Sequence, residues 1–166
     1  KEEVTYLGCK LNQACSTPTE LNKRISVCMI VLRKLDLFWR HSTCPTAFKL
    51  SVLDAVIRAK LLYGLDSAQL TVPQQRKLET FQLKGLRKIL KIKTTYVERD
   101  KTNETVFRLA NLKLQQNTRQ GRTPKQITPF MTAYQNSRLK RLNRIICMKD
   151  NDPVKQTTFR SNSILP

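Results

Sequence analysis

The stretch from Pro73 to Lys93 sorts into two faces, and that sorting limits what the chain can become. Turned at about 100° per residue, Leu78, Phe81, Gly85, Ile89 and Ile92 line one narrow stripe, widened by Leu86 and Leu90. Arg76, Lys77, Lys84, Arg87, Lys88 and Lys91 fall opposite, interrupted only by Glu79. Such a helix is expected to bury one side against other helices and to present a cationic rail with the other. Gly85 sits mid-stripe, where a missing side chain lets a second helix come close.

The partners it needs lie upstream. Thr17, Pro18 and Glu20 supply an N-cap, a first helical position and a capping-box acid. The predicted helix runs from there to about Trp39. Its seam is Leu21, Ile25, Cys28, Leu32, Leu35 and Trp39, spaced alternately four and three residues apart as in a helical bundle. After a break at His41 to Cys44, Pro45 opens a second helix that Gly64 ends. Along it Phe48, Val52, Ala55, Val56, Ala59 and Tyr63 share one side, with Leu53 and Ile57 beside them; Lys49, Arg58 and Lys60 read as lying outside. Thr71 to Pro73 restarts the chain as the third helix. The expected core includes Leu32, Val56, Phe81, Leu86 and Ile89. Short connections and matching stripes predict an antiparallel three-helix bundle over residues 15–95.

The flanks read more weakly. Residues 1–14 are β-prone around a break at Gly8 and predict a short N-terminal β-hairpin. Residues 96–114 predict a short helical connector, capped by Thr102 or Asn103 and burying Val106, Leu109 and Ala110. Residues 115–128, rich in Gln, Thr, Arg and Pro, read as a linker. Residues 129–149 predict a basic C-terminal helix, with Phe130, Tyr134, Leu142, Ile145 and Ile146 flanked by Arg138, Lys140, Arg141 and Arg144. Residues 150–166 read as a disordered polar tail. The fold class is thus mainly α: hairpin, bundle, one or two further helices and an irregular tail.

Charge narrows the function. A formal net charge of +19 on 166 residues costs self-repulsion, so a polyanionic partner is the natural inference: nucleic acid first, then an acidic membrane surface or an acidic protein. No apolar run approaches the ~20 residues of a membrane span, and an interfacial helix would need more aromatic bulk than Phe81 provides. No signal-peptide pattern opens the chain, which begins at Lys1 in a strand-like segment and reads as part of a longer polypeptide. Cys9, Cys15, Cys28, Cys44 and Cys147 form no CxxC pair, and His41 is the sole histidine, so a zinc ligand set is lacking. Unpatterned cysteines predict reduced thiols in an intracellular protein, nuclear or cytoplasmic, with Cys28 in the core.

Catalytic constellations are not visible. His41 lies between helices with no orienting partner. Asp36, Asp54 and Asp66 are spread apart, and the pairs Glu98/Asp100 and Asp150/Asp152 lack the third carboxylate of a two-metal site. Neither a GxxxxGK[ST] nor a GxGxxG loop is present. Binding remains. An ordinary solvated face mixes signs, whereas the rail of 76–91 carries six cations to one acid. Arg138, Lys140, Arg141 and Arg144 make a second, looser cluster. Neither pattern carries a base-reading set, so backbone recognition of a duplex is expected.

The order of segments resembles one known family. Tyr6-Leu7-Gly8, then Leu61-Leu62-Tyr63-Gly64, then Lys77-Leu78-Glu79-Thr80-Phe81-Gln82 leading to Leu86-Arg87-Lys88-Ile89-Leu90-Lys91-Ile92, looks like the end of a non-LTR (LINE-like) retrotransposon reverse transcriptase. The segment from Arg138 to Met148, followed by acids and Pro153, is similar to the family's basic segment after the thumb, although Asn143-Arg144 stands where Gly-His is usual. The likeness spans residues 4–153. It implies an end-of-palm hairpin, a thumb that closes on RNA–DNA or DNA duplex, and partner palm and fingers domains upstream. The family's catalytic Tyr-x-Asp-Asp strand, and the Mg that it binds, would belong to that palm; this chain has no adjacent Asp pair. No cofactor is expected here. The alternative is a free-standing basic helical module that binds nucleic acid or an acidic protein. A helix-turn-helix regulator ranks behind both, because residues 64–72 are too long a turn.

Overall fold

The computed structural model describes residues 3–6, 9–12, 17–116 and 126–159, with side chains from residue 20 onward. The described residues are mainly helical. They form α1 (Thr17–Lys34), α2 (Asp36–His41), α3 (residues 46–62), α4 (Val72–Leu90), α5 (Asn103–Gln116), α6 (Phe130–Ile146) and α7 (Pro153–Thr158). Ahead of them Glu3–Tyr6 and Cys9–Asn12 run antiparallel, Val4 opposite Leu11. The turn expected at Gly8 lies outside the described residues, as do the expected cap side chains at Thr17 and Pro18.

Directions follow from what meets what. Near the start of α1, the Arg24 guanidinium donates to the carbonyl of Tyr63, just past the end of α3. At the other end, Lys49 Nζ, early in α3, donates to Trp39 O in α2 at 3.0 Å. These helices therefore run opposite ways. Lys77 Nζ near the start of α4 lies 3.0 Å from Asn22 Oδ1 of α1, and Lys88 further along pairs with Asp36 of α2. So α4 runs with α1 and against α3.

The seam of α1 and α2 packs much as its spacing predicts: Leu21, Cys28, Leu32 and Trp39 are buried, with Ile25 and Leu35 packed partly against them. The predicted single helix is broken at Leu35, whose backbone leaves the helical region. Trp39 Nε1 donates to Leu32 O at 3.1 Å, which satisfies the indole of a fully buried ring.

α3 corrects the expected stripe. Ala47, Leu50, Leu53, Ile57 and Leu61 are buried, whereas Phe48, Val56 and Tyr63 are exposed. The helix is apolar on two opposite sides, and periodicity alone could not choose between them. The choice was made by fit. A Cβ built on Gly85 would stand 3.1 Å from Leu53 Cδ1, so Leu53 fills the notch that the glycine leaves on α4. Val56 is consequently not core. Lys49, expected outside, is buried; its ammonium binds the carbonyls of Trp39 and Ser42, both at 3.0 Å, at the end of α2. Leu53–Arg58 also winds as a π-helix, a local widening of the turn.

α4 starts at Thr71, whose backbone N–H donates to Gln74 Oε1 at 2.7 Å, and ends where Lys91 takes a left-handed φ of 57°. Leu78, Phe81, Gly85, Leu86 and Ile89 point inward as predicted. So do Gln74 and Gln82, which interrupt the apolar stripe. Gln82 is a clasp: its Nε2 donates to Thr128 O at 2.9 Å and its Oε1 accepts from Phe130 N at 2.7 Å.

That clasp corrects the linker. Residues 117–125 lie outside the described residues, but Ile127 is buried and its N–H donates to Asn111 Oδ1 at 2.8 Å. α5 is longer than expected and buries Val106, Ala110 and Leu114. α6 is integrated too. The Tyr134 hydroxyl donates to Ala68 O at 2.5 Å and accepts from Leu70 N at 3.2 Å, pinning the α3–α4 connection. The expected tail holds α7, begun by Asp152, whose side chain accepts from Val154 N, and by Pro153 at the first helical position. Residues 160–166 lie outside the described residues.

Candidate nucleic-acid interface

The expected rail divides into an exposed part and a spent part. Arg76, Lys77 and Lys84 are exposed on α4. Arg76, Thr80 and Lys84 follow at intervals of four, so the inward packing of Leu78 and Phe81 turns them outward together. They border an open groove of about 770 Å³ between α1 and α4, whose floor includes Ile25, Met29 and Phe81. Asn22, Ser26 and Thr80 add neutral polar groups, and among the described residues no carboxylate lines it.

Arg87 is a correction. It is buried among the α4–α5 junction, not ranged along the groove. Its guanidinium donates to Lys93 O at 2.6 Å, to Lys101 O at 2.8 Å and to Asn103 Oδ1 at 3.3 Å. These bonds tie both ends of the loop after α4 to the helix, and a group so placed does not reach a phosphate. Lys88 is a second correction: it is half-buried in an ion pair with Asp36. The hydrogen bond from Lys88 holds the Asp36 carboxyl below the ordinary carboxylate range, with the charges of Lys88, Arg40 and His41 adding to the effect. Lys91 is exposed at the helix end.

The second cluster is also divided. Arg138 is half-buried, its guanidinium 5.7 Å from the centre of the Tyr134 ring. Arg141 lies 3.7 Å from Asp66. Lys140 and Arg144 are exposed, and Lys140 borders a cleft against the end of α3.

His41, expected between helices, is the exposed last residue of α2. No group of three or more His, Cys, Asp or Glu side chains is placed to hold a metal ion among the described residues. Cys28 is buried, and desolvation pushes its thiol pKa up, which suits a core residue and not a nucleophile. No described helix is long and apolar enough to cross a membrane.

Sequence reasoning missed the inward roles of Lys49, Gln82 and Arg87. For Gln82 a signal existed: it stands between Leu78 and Leu86 at intervals of four, where a polar residue needs a buried partner. Arg87 gave no such signal, because its two shorter bonds go to backbone carbonyls that any sequence would offer.

No protein-family model, no curated protein and no solved structure matches this chain.

Proposed function

We propose that this chain is the thumb and connector of a non-LTR retrotransposon reverse transcriptase, a non-catalytic part that grips the template–primer duplex. The single observation behind this reading is the groove between α1 and α4, edged by Arg76, Lys77 and Lys84 and, among the described residues, free of lining carboxylates. The antiparallel arrangement of α1, α3 and α4 is the thumb-like bundle, and residues 1–14 are the closing hairpin of the palm. In this reading the duplex lies with its phosphates along α4, and each contact releases counterions. Its partners are the palm and fingers domains, and Mg and the polymerase carboxylates belong to the palm. The working compartment is nuclear or cytoplasmic.

The test is a titration of the full chain with blunt RNA–DNA duplexes of unrelated sequence over a range of salt. Arg76→Glu combined with Lys84→Glu is expected to weaken binding about tenfold or more for every sequence and to flatten the salt dependence by roughly two phosphate contacts. If the double variant binds like the parent at ~150 mM salt, where surface charge is screened, the reading fails.

A second reading, a basic module that docks an acidic protein, draws on the exposed Phe48 and Val56 of α3. Gel filtration separates the two: a defined oligomer or a protein complex without duplex affinity favours the module.

A further inference from the structure

A second concavity lies on another side of the molecule and shares no residue with the α1–α4 groove. It opens between the C-terminal end of α3 and α6, with a volume of about 450 Å³. That is within the ~300–1,000 Å³ range of small-ligand sites. Arg58, Tyr63, Thr128, Asn136, Ser137 and Lys140 supply its chemistry, and among the described residues no carboxylate lines it.

We infer that this cleft binds an unpaired nucleotide of a single strand. The donor set fits each part of that ligand. Lys140 is exposed on the α6 side and offers a phosphate its cation, while Arg58, on the α3 side, is shared with Asp54. Arg58 is positioned by Asp54, whose carboxylate is 3.2 Å from the guanidinium and is itself 3% exposed. Asn136 and Ser137 bring amide and hydroxyl groups that suit a sugar or a base edge. Tyr63 is 65% exposed and gives an aromatic surface for a base.

The walls are held. The main chain at Thr128 is held by the bond from Gln82 to its carbonyl, and that at Tyr63 by the bond from Arg24 to its own. A preformed wall loses little entropy on binding. Inside a duplex the base faces are already stacked, whereas every unpaired base has a free face worth about 1–3 kcal/mol on an aromatic side chain. The ligand class is therefore single-stranded nucleic acid, read through stacking and one phosphate, with little dependence on base identity.

The experiment uses the full chain, a fluorescently labelled oligothymidylate strand and a blunt DNA duplex, at one salt concentration. Tyr63→Ala is expected to weaken single-strand binding about tenfold and to leave duplex binding unchanged. Tyr63→Phe retains the parent affinity. Lys140→Ala weakens the strand severalfold and lowers its salt slope by about one contact. Both positions are on the surface, and circular dichroism checks that the variants stay helical. The inference is overturned if the parent does not bind the strand, or if Tyr63→Ala affects strand and duplex alike or neither. Failure of the α1–α4 groove is separate: Arg76→Glu with Lys84→Glu would then spare duplex binding, while Tyr63→Ala still lowered strand binding.

Discussion

Along the first turns of α4, Arg76, Lys77 and Lys84 stand in solvent beside a groove; immediately beyond them, Arg87 and Lys88 are spent on the protein itself. The residues are alike in kind and helical position. The difference lies in their surroundings. Beside Arg76, Lys77 and Lys84, the polar groups that α1 brings to the groove are the neutral Asn22 and Ser26. Beside the second half are Asp36 and the loop carbonyls of Lys93 and Lys101. A cation placed among such acceptors becomes part of the fabric, because charge-assisted bonds to carbonyls and carboxylates replace the ones it made to water. A periodic run of positive charge therefore marks a face, and neighbouring acceptors decide how much of it is left for a ligand.

Arg87→Ala would test that division most strongly. It should destabilise the fold by about 2–4 kcal/mol, since it removes bonds from a buried charged donor and leaves carbonyls unpaired. Denaturant unfolding is the measurement. A loss no larger than for Arg76→Ala would show that the two halves do not differ. Next in size is Gly85→Leu, expected to cost about 1–3 kcal/mol by forcing Leu53 from its notch; a neutral result would mean that α3 and α4 do not depend on that close approach. Lys91→Gly should stabilise by up to about 1 kcal/mol, because glycine takes the left-handed φ at no steric cost. A destabilised variant would show that the lysine side chain contributes more there than its backbone loses.

The smallest effect is expected for Lys88→Ala. Asp36 is partly exposed, and its pKa is depressed in the folded chain. A depressed carboxylate contributes stability above its unfolded pKa and loses it as the pH falls through the folded value. Parent and variant should thus differ slightly near neutral pH and converge in acid. Divergence on acidification would mean that Lys88 is not held by Asp36.

Much of the fold was legible because burial leaves a period. The α1 seam, the inward face of α4, the role of Gly85 and the turn-breaking Pro45 and Gly64 all follow from spacing and backbone preference. The candidate groove was partly legible: Arg76, Lys77 and Lys84 stay where the pattern puts them. α3 was not, since two apolar sides compete and only packing against the neighbouring helices selects Leu50, Leu53 and Ile57. The tail's Asp152-Pro153 pair was a readable helix start, but its weak apolar pattern hid it.

By itself the sequence determined a helical chain with a large positive excess, and which positions on its helices can face a core. Helical period and charge are local properties, carried by each residue wherever it lies. The tertiary structure alone decided which apolar side of α3 is buried, that Lys49 and Arg87 serve carbonyls inside, and that Arg58, Tyr63 and Lys140 meet across one cleft. Those outcomes depend on acceptors and surfaces far away in the chain, and no local pattern encodes a distance that only packing creates.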